Sequence, residues 1–196
     1  MMGPAVYLWV IGGSAGSFTP LRQALLELPY DEGIALVLCL HRLRQARFQI
    51  TDAFLRIRGW QVVEPDDKMP IQGGYIYIAP ADYHLLVERE GYFSLSVEEP
   101  VHFSRPSIDV TMLSVVQAKY PAAGGVLLSG ANKDGAEGLY EMHKAGYFTA
   151  VQDPTDAEVA QMPEAALALF EPSRVIAIKT LSELICQKPA HRFKLP

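Results

Sequence analysis

An apolar run that ends in a cluster of glycines constrains this chain more than any other feature. Residues 5–17 read Ala-Val-Tyr-Leu-Trp-Val-Ile-Gly-Gly-Ser-Ala-Gly-Ser. The first part is a buried-strand pattern, and it passes directly into a turn of small residues. Thr19-Pro20 then reads as a helix N-cap and first helical residue, ahead of Leu21, Leu25 and Leu28. Strand, tight turn and helix form the opening of an α/β unit. Such a turn needs close chain approach and backbone angles that only small residues accept. It also delivers Ser14 to the carboxyl edge of a sheet, beside the free N–H groups of a helix start.

The rest of the chain repeats this grammar. Strand-like runs occupy 6–11, 34–40, 61–63, 75–79, 125–128, 149–151 and 175–178. A continuous apolar run such as Ile34-Ala35-Leu36-Val37-Leu38 suits a parallel strand covered on both faces. Ile108, Met112, Val115 and Val116 make one helical stripe, Pro163 opens another helix, and Leu181–Cys186 reads as a short final one. Tyr83–Glu88 and Tyr92–Val97 flank Arg89-Glu90-Gly91, a hairpin signal. The expected fold is a three-layer α/β/α, doubly wound, mostly parallel sheet with an antiparallel β-hairpin at one edge.

Composition narrows the function classes. The chain has 196 residues, 49% of them hydrophobic, enough for one sizeable core. A net charge of -5 argues against a general nucleic-acid binder. No apolar run approaches a membrane span, and the N-terminus lacks a basic segment with an apolar core, so neither membrane insertion nor export is expected. Cys39 and Cys186 lack C-x-x-C spacing and read as buried structural thiols of a cytoplasmic protein. Asp82 and His84 are spaced for two metal ligands, but two residues do not make a centre; no metal and no cofactor is expected.

Residues 12–16 match G-x-S-x-G, the pattern of a serine nucleophile on a strand-to-helix turn. A serine in a glycine turn is equally a helix-cap residue. To act as a nucleophile it needs a base to take its proton and an acid to hold that base. Among five histidines, His41 alone follows a predicted strand directly, which puts it on the same sheet edge as Ser14. Residues 126–138 repeat the logic of the first turn, and Asp134 within them is the candidate orienting acid. An N-cap aspartate reads the same way. The order Ser, His, Asp differs from that of the α/β-hydrolases, so the matching turn does not imply membership there.

With these residues in hand, the sequence resembles the catalytic domain of the chemotaxis protein-glutamate methylesterases, the CheB family, over residues 5–186. The motifs that carry the resemblance are Gly12–Gly16, His41 at a strand end, Gly73–Pro80 with Asp82 and His84, Arg105-Pro106-Ser107-Ile108-Asp109, Ser129–Ala136, Gln152-Asp153-Pro154 and Met162–Ala166. The resemblance implies hydrolysis of γ-glutamyl methyl esters on a methyl-accepting chemoreceptor or related signalling protein, with glutamine deamidation as a second activity. It implies Ser14 as nucleophile, His41 as general acid/base, Asp134 as its orienting partner, and the backbone N–H groups of Ala15 and Ala131 as the oxyanion hole. It also implies one catalytic domain over 1–187, a polar tail over 188–196, no receiver domain, and control by a separate regulatory subunit if any.

Departures from the family pattern fall near the site. Ala131 stands where the family has methionine, and Asn132 where it has a glycine; asparagine tolerates positive φ. Ser17 replaces a second glycine of the first turn. His41 is followed by Arg42-Leu43-Arg44 rather than Met-Pro. Arg42, Arg44 and Asn132 are therefore substrate-binding candidates, with Arg47, Arg56 and Arg58 extending a basic rim that would steer a glutamate-rich helix. The competing reading of that rim is a solvated face. Two alternatives to an esterase remain. One is a catalytically weak binding module that recognises a signalling helix. The other is a nucleotide binder, disfavoured because the glycine turn lacks both G-x-G-x-x-G spacing and a P-loop lysine.

Overall fold

The computed structural model describes residues 6–41, 52, 54 and 57–189. Seven parallel strands form the central sheet: β1 (Tyr7–Gly13), β2 (Ile34–Leu40), β3 (Gln61–Val63), β4 (Tyr75–Ile78), β7 (Ala123–Leu127), β8 (Phe148–Gln152) and β9 (Arg174–Ile176), in the order β3-β4-β2-β1-β7-β8-β9. Helices among the described residues include α1 (Phe18–Leu26), α2 (Ile108–Ala118), α3 (Ala136–Lys144), α4 (Gln161–Leu169) and α5 (Leu181–Cys186). β5 (His84–Val87) and β6 (Phe93–Ser96) pair antiparallel as a separate two-stranded sheet.

Alternation within the strands divides the core in two. Every residue of β1 and β2 is buried, as expected for strands covered on both faces. Tyr7, Trp9, Ile11, Leu36 and Leu38 point into one apolar cluster, with Leu21 and Leu25 of α1 and Leu184 and Ile185 of α5. Leu8, Val10, Ala35, Val37 and Cys39 point into the other, with Ile108, Met112 and Val115 of α2, Leu139 and Met142 of α3, and Met162 of α4. The hairpin joins this second cluster through Leu85, Val87 and Phe93. It lies over α2, where the Val87 N–H donates to Ser114 Oγ at 2.8 Å, rather than hydrogen-bonding into the parallel sheet.

Some local expectations are corrected. The N-cap of α1 is Ser17, not Thr19, so the helix begins one residue before Thr19-Pro20. α4 begins at Gln161, with Pro163 inside its first turn. Cys39 is buried, but Cys186 is exposed, because Leu184 and Ile185 take the inward face of α5. Tyr75, Tyr77 and Tyr83 read from sequence as core and hairpin packing; Tyr77 is buried with the Tyr75 ring stacked on it at 5.4 Å between centroids, whereas Tyr83 is exposed. Among the described residues, no helix is long and apolar enough to cross a membrane.

The strand order fixes where chemistry can occur. From β1 the chain winds outward through β2 to the β3–β4 edge, then returns to β7 on the other side of β1. The turns after β1 and β7 therefore lead away in opposite directions, and the crevice between them is the ligand-binding position of an open α/β sheet.

Candidate active site

Three chain segments meet at that crevice. β1 and β2 run in register with Gly13 opposite Leu40, so Ser14 and His41 are the next residues along two neighbouring strands. The His41 N–H donates to Gly13 O at 3.1 Å and fixes this arrangement. The turn after β7 is stitched to the turn after β1: the Ser14 N–H donates to Ser129 O at 2.9 Å, and Ser129 Oγ donates to Ala15 O at 2.8 Å. The positive φ of the first turn falls on Gly16, at +76°, and not on the serine. A Cβ on Gly16 would also stand 2.6 Å from that of Glu158. Ser14 is half-buried and does not cap α1; that position belongs to Ser17, whose Oγ donates to Ser14 O at 2.7 Å.

Asp134 is fully buried, and each of its oxygens has two donors. Oδ2 accepts from His41 Nε2 at 2.7 Å and from the Ile108 N–H at 2.8 Å. Oδ1 accepts from Ser107 Oγ at 2.7 Å and from the Asp109 N–H at 3.1 Å. Asp134 does not cap the helix that follows it, where Gly135 is the N-cap. It instead sits on the N-terminus of α2, far away in sequence, where free N–H groups and the helix dipole favour a negative charge. Burial is the largest single influence on this carboxyl and pushes its pKa up. The hydrogen bonds from His41, Ile108, Ser107 and Asp109 together outweigh burial and hold it below the usual carboxylate range.

An ionised Asp134 only accepts, so His41 Nε2 carries the proton. The lone pair is then on Nδ1, which lies 3.4 Å from Ser104 Oγ and 3.5 Å from Asn132 Nδ2. The orientation of Asn132 is set independently, because its Oδ1 accepts from the Asp134 N–H at 3.1 Å. Asn132 thus spans the acid's backbone and the imidazole, and it does so without positive φ; the left-handed residue of this turn is Gly135, at +92°. Among the described residues, the Ser14 hydroxyl makes no hydrogen bond, and the N–H groups of Ala15 and Ala131 are likewise uncommitted. Both alanines are exposed.

The remaining candidates separate clearly. His84 is buried, accepts from the Ser107 N–H on Nδ1 at 3.2 Å and approaches Glu99 O through Nε2 at 3.1 Å, so one ring nitrogen holds the start of α2 and the other the segment after β6. No group of metal-binding side chains occurs among the described residues. Arg42, Arg44, Arg47 and Arg56 lie outside the described residues, and Arg58 is exposed. Sequence reasoning missed what Ser107 and the N–H groups of Ile108 and Asp109 do. A serine before an apolar helical stripe signals an N-cap, and Ser107 does accept from the Val110 N–H at 3.4 Å. That signal marks free N–H groups but not the carboxylate, 27 residues further on, that occupies them.

Comparison with known proteins assigns the chain to a family. The family model described as CheB methylesterase matches residues 9–185. A Leptospira interrogans protein provisionally named protein-glutamate methylesterase/protein-glutamine glutaminase is 38% identical over 178 residues, covering 89% of this chain and 91% of that relative. The Hydrogenovibrio crunogenus protein-glutamate methylesterase/protein-glutamine glutaminase is 34% identical over 93% of this chain but only 49% of its own length. The crystal structure of the Thermotoga maritima CheB methylesterase catalytic domain shares the fold, with a TM-score of 0.86 at 23% identity, covering 93% of this chain and 98% of that one. The chain belongs to the CheB methylesterase family.

Proposed function

We propose that this protein hydrolyses γ-glutamyl methyl esters on chemoreceptor-type proteins, and glutamine side-chain amides as a second activity. Ser14 Oγ attacks the ester carbonyl carbon while His41 Nδ1 takes its proton. The imidazolium so formed is stabilised by Asp134 through Nε2. The carbonyl oxygen becomes an oxyanion, and the N–H groups of Ala15 and Ala131 are the donors suited to receive it. On collapse, the bond to the methoxy group breaks and the Nδ1 proton leaves with it as methanol. Water then attacks the acyl-serine, His41 again moves the proton, and glutamate and free Ser14 are released. With an amide substrate the leaving group is ammonia.

One observation carries this reading: the buried Asp134–His41 hydrogen bond of 2.7 Å at the crevice where the Ser14 turn ends. A fluorophosphonate probe tests it. The wild type should be labelled and Ser14→Ala should not, and methanol should be released from a methylated chemoreceptor fragment. The second reading is an attenuated module that binds a signalling helix. Its support is that Nδ1 of His41 faces Ser104 and Asn132 rather than the Ser14 hydroxyl. Absence of labelling at Ser14 in folded protein would favour it.

The Arg42–Arg44 segment directly after His41 would draw a glutamate-rich substrate to the site. Replacing both arginines with alanine should lower the association rate with receptor and flatten its salt dependence. Kinetics that respond to ionic strength as in the wild type would remove that role.

A further inference from the structure

We propose that Phe103, with Tyr83 and Val97, forms a docking ridge for the apolar face of the protein helix that carries the ester. This rests on the function proposed above and goes beyond it by naming where the substrate protein sits. The ridge begins at a two-residue turn. Val101 and Ser104 exchange backbone hydrogen bonds of 3.1 and 2.9 Å, and His102 and Phe103 between them have φ of +48° and +62°. These left-handed angles belong to hairpin turns ordinarily built from Asn-Gly. A bulky aromatic residue there is a strained choice. Its surroundings hold it in place: His102 Nε2 lies 3.4 Å from Asp109 Oδ2, and Ser104 Oγ lies 3.4 Å from His41 Nδ1. The strain buries nothing, because Phe103 is 104% exposed. Backbone strain that presents a side chain to solvent, next to the serine whose Oγ lies 3.4 Å from the candidate base, points to function rather than folding.

Two more exposed apolar residues lie at the end of the hairpin that Arg105 joins to this turn. His84 pairs with Ser96 at the open end of the hairpin, so Tyr83 and Val97 flank that end one step further out. They are 41% and 69% exposed. Arg105 ties them to the turn: its Nη1 donates to Val97 O at 2.8 Å and Glu98 O at 2.9 Å, and its carbonyl accepts from the Asp82 N–H at 3.3 Å. Exposed apolar residues grouped near a candidate reaction site point to a macromolecular contact. A small ester would not need it, whereas an ester borne on a helix brings neighbouring side chains to the rim. Glu98 and Glu99, both exposed, turn away the acidic side of such a helix and leave its apolar side to the ridge.

The test compares the wild type with Phe103→Gly and Phe103→Trp on two substrates: a methylated chemoreceptor cytoplasmic fragment and p-nitrophenyl acetate. Glycine suits the left-handed turn, so Phe103→Gly keeps the backbone and removes the ring. The ratio of kcat/KM for the receptor to that for the small ester should fall about tenfold in Phe103→Gly, mainly through KM, and recover in Phe103→Trp. Leu169→Ala, an exposed apolar residue of α4, serves as a control and should leave the ratio unchanged. An unchanged ratio in Phe103→Gly, with normal small-ester turnover, overturns the ridge alone. A change confined to molecular mass in sedimentation assigns the surface to contact between copies and also overturns it. Wild-type protein that neither turns over the small ester nor is labelled at Ser14 overturns the functional reading, and the ridge with it.

Discussion

The acid half and the proposed nucleophile half of this candidate site follow opposite plans. Asp134 is enclosed, with two donors on each oxygen before any substrate arrives. Ser14 is half-buried, its hydroxyl carries no hydrogen bond among the described residues, and the amides of Ala15 and Ala131 stand open beside it. The contrast is the one that the proposed roles require. A permanent charge out of water costs several kcal/mol unless the protein supplies its hydrogen bonds, so the acid is solvated in advance. An attacking oxygen and the donors that receive an oxyanion must keep their capacity for the transition state.

The two halves should therefore respond differently to mutation. Ser14→Ala should lower kcat by on the order of 10⁴-fold or more and leave the thermal midpoint unchanged, because no hydroxyl contact is lost. Asp134→Asn should cost activity on a similar scale, about 10⁴-fold, and also lower the midpoint. An asparagine offers one oxygen to four donors and turns its NH₂ toward the others, leaving buried donors unpaired. It also accepts a tautomer of His41 with the proton on Nδ1, which is then no base. Calorimetry beside single-turnover kinetics separates the two outcomes. A Ser14→Ala variant that melts as early as Asp134→Asn would break the contrast.

Ser107→Ala sharpens it at lower amplitude. Ser107 donates to Asp134 Oδ1 and accepts from the Val110 N–H, so one hydroxyl caps α2 and steadies the acid. Its loss should reduce kcat by about tenfold with little change in KM. The midpoint should fall by about 2–4 °C, corresponding to ~1 kcal/mol in a domain of this size. Full activity with a lowered midpoint would mean that the helix N-terminus alone fixes the carboxylate.

What could be read in the sequence was what the backbone repeats locally. β2 follows from an unbroken apolar run, and the crevice follows from two strand–turn–helix segments with small residues at the turns. The placement of Ser14, His41 and Asp134 at one sheet edge is legible because each ends or closely follows such a run. The cradle of the acid is not, because the partners of Asp134 are backbone N–H groups on a helix whose own signal says nothing about which carboxylate will reach it. Asn132 reads from sequence as a tolerated substitute for glycine. Its bridge between the Asp134 N–H and His41 Nδ1 depends on side-chain placement across 91 residues of separation. The hairpin's turn residues predict its pairing but not that it forms a separate sheet over α2, since that is decided by burial of Leu85, Val87 and Phe93.

The smallest predicted effect sets Asp134 against the acid next to it. Asp109 is also buried at the start of α2, with Oδ1 accepting from the Gly138 N–H at 2.7 Å. Yet it is pushed up from an ordinary value near 3.8 to about 6. Burial is the main cause and the charge of Asp134 adds to it, while the Gly138 N–H and His102 only partly oppose them. The folded protein thus holds this proton more tightly than the unfolded chain. Asp109 therefore favours folding in acid, and that contribution is lost as pH rises through about 6. Asp134, held low, has the opposite sign: its contribution is present above the ordinary carboxylate range and is lost as pH falls through its depressed value. Asp109→Asn keeps an oxygen for the Gly138 N–H and removes a charge that the site already carries on Asp134. Its midpoint should rise by about 2–4 °C at pH 8 and match the wild type at pH 4. A lower midpoint at pH 8 would mean that the contact with His102 outweighs the repulsion from Asp134, and that the two carboxylates share the helix start without conflict.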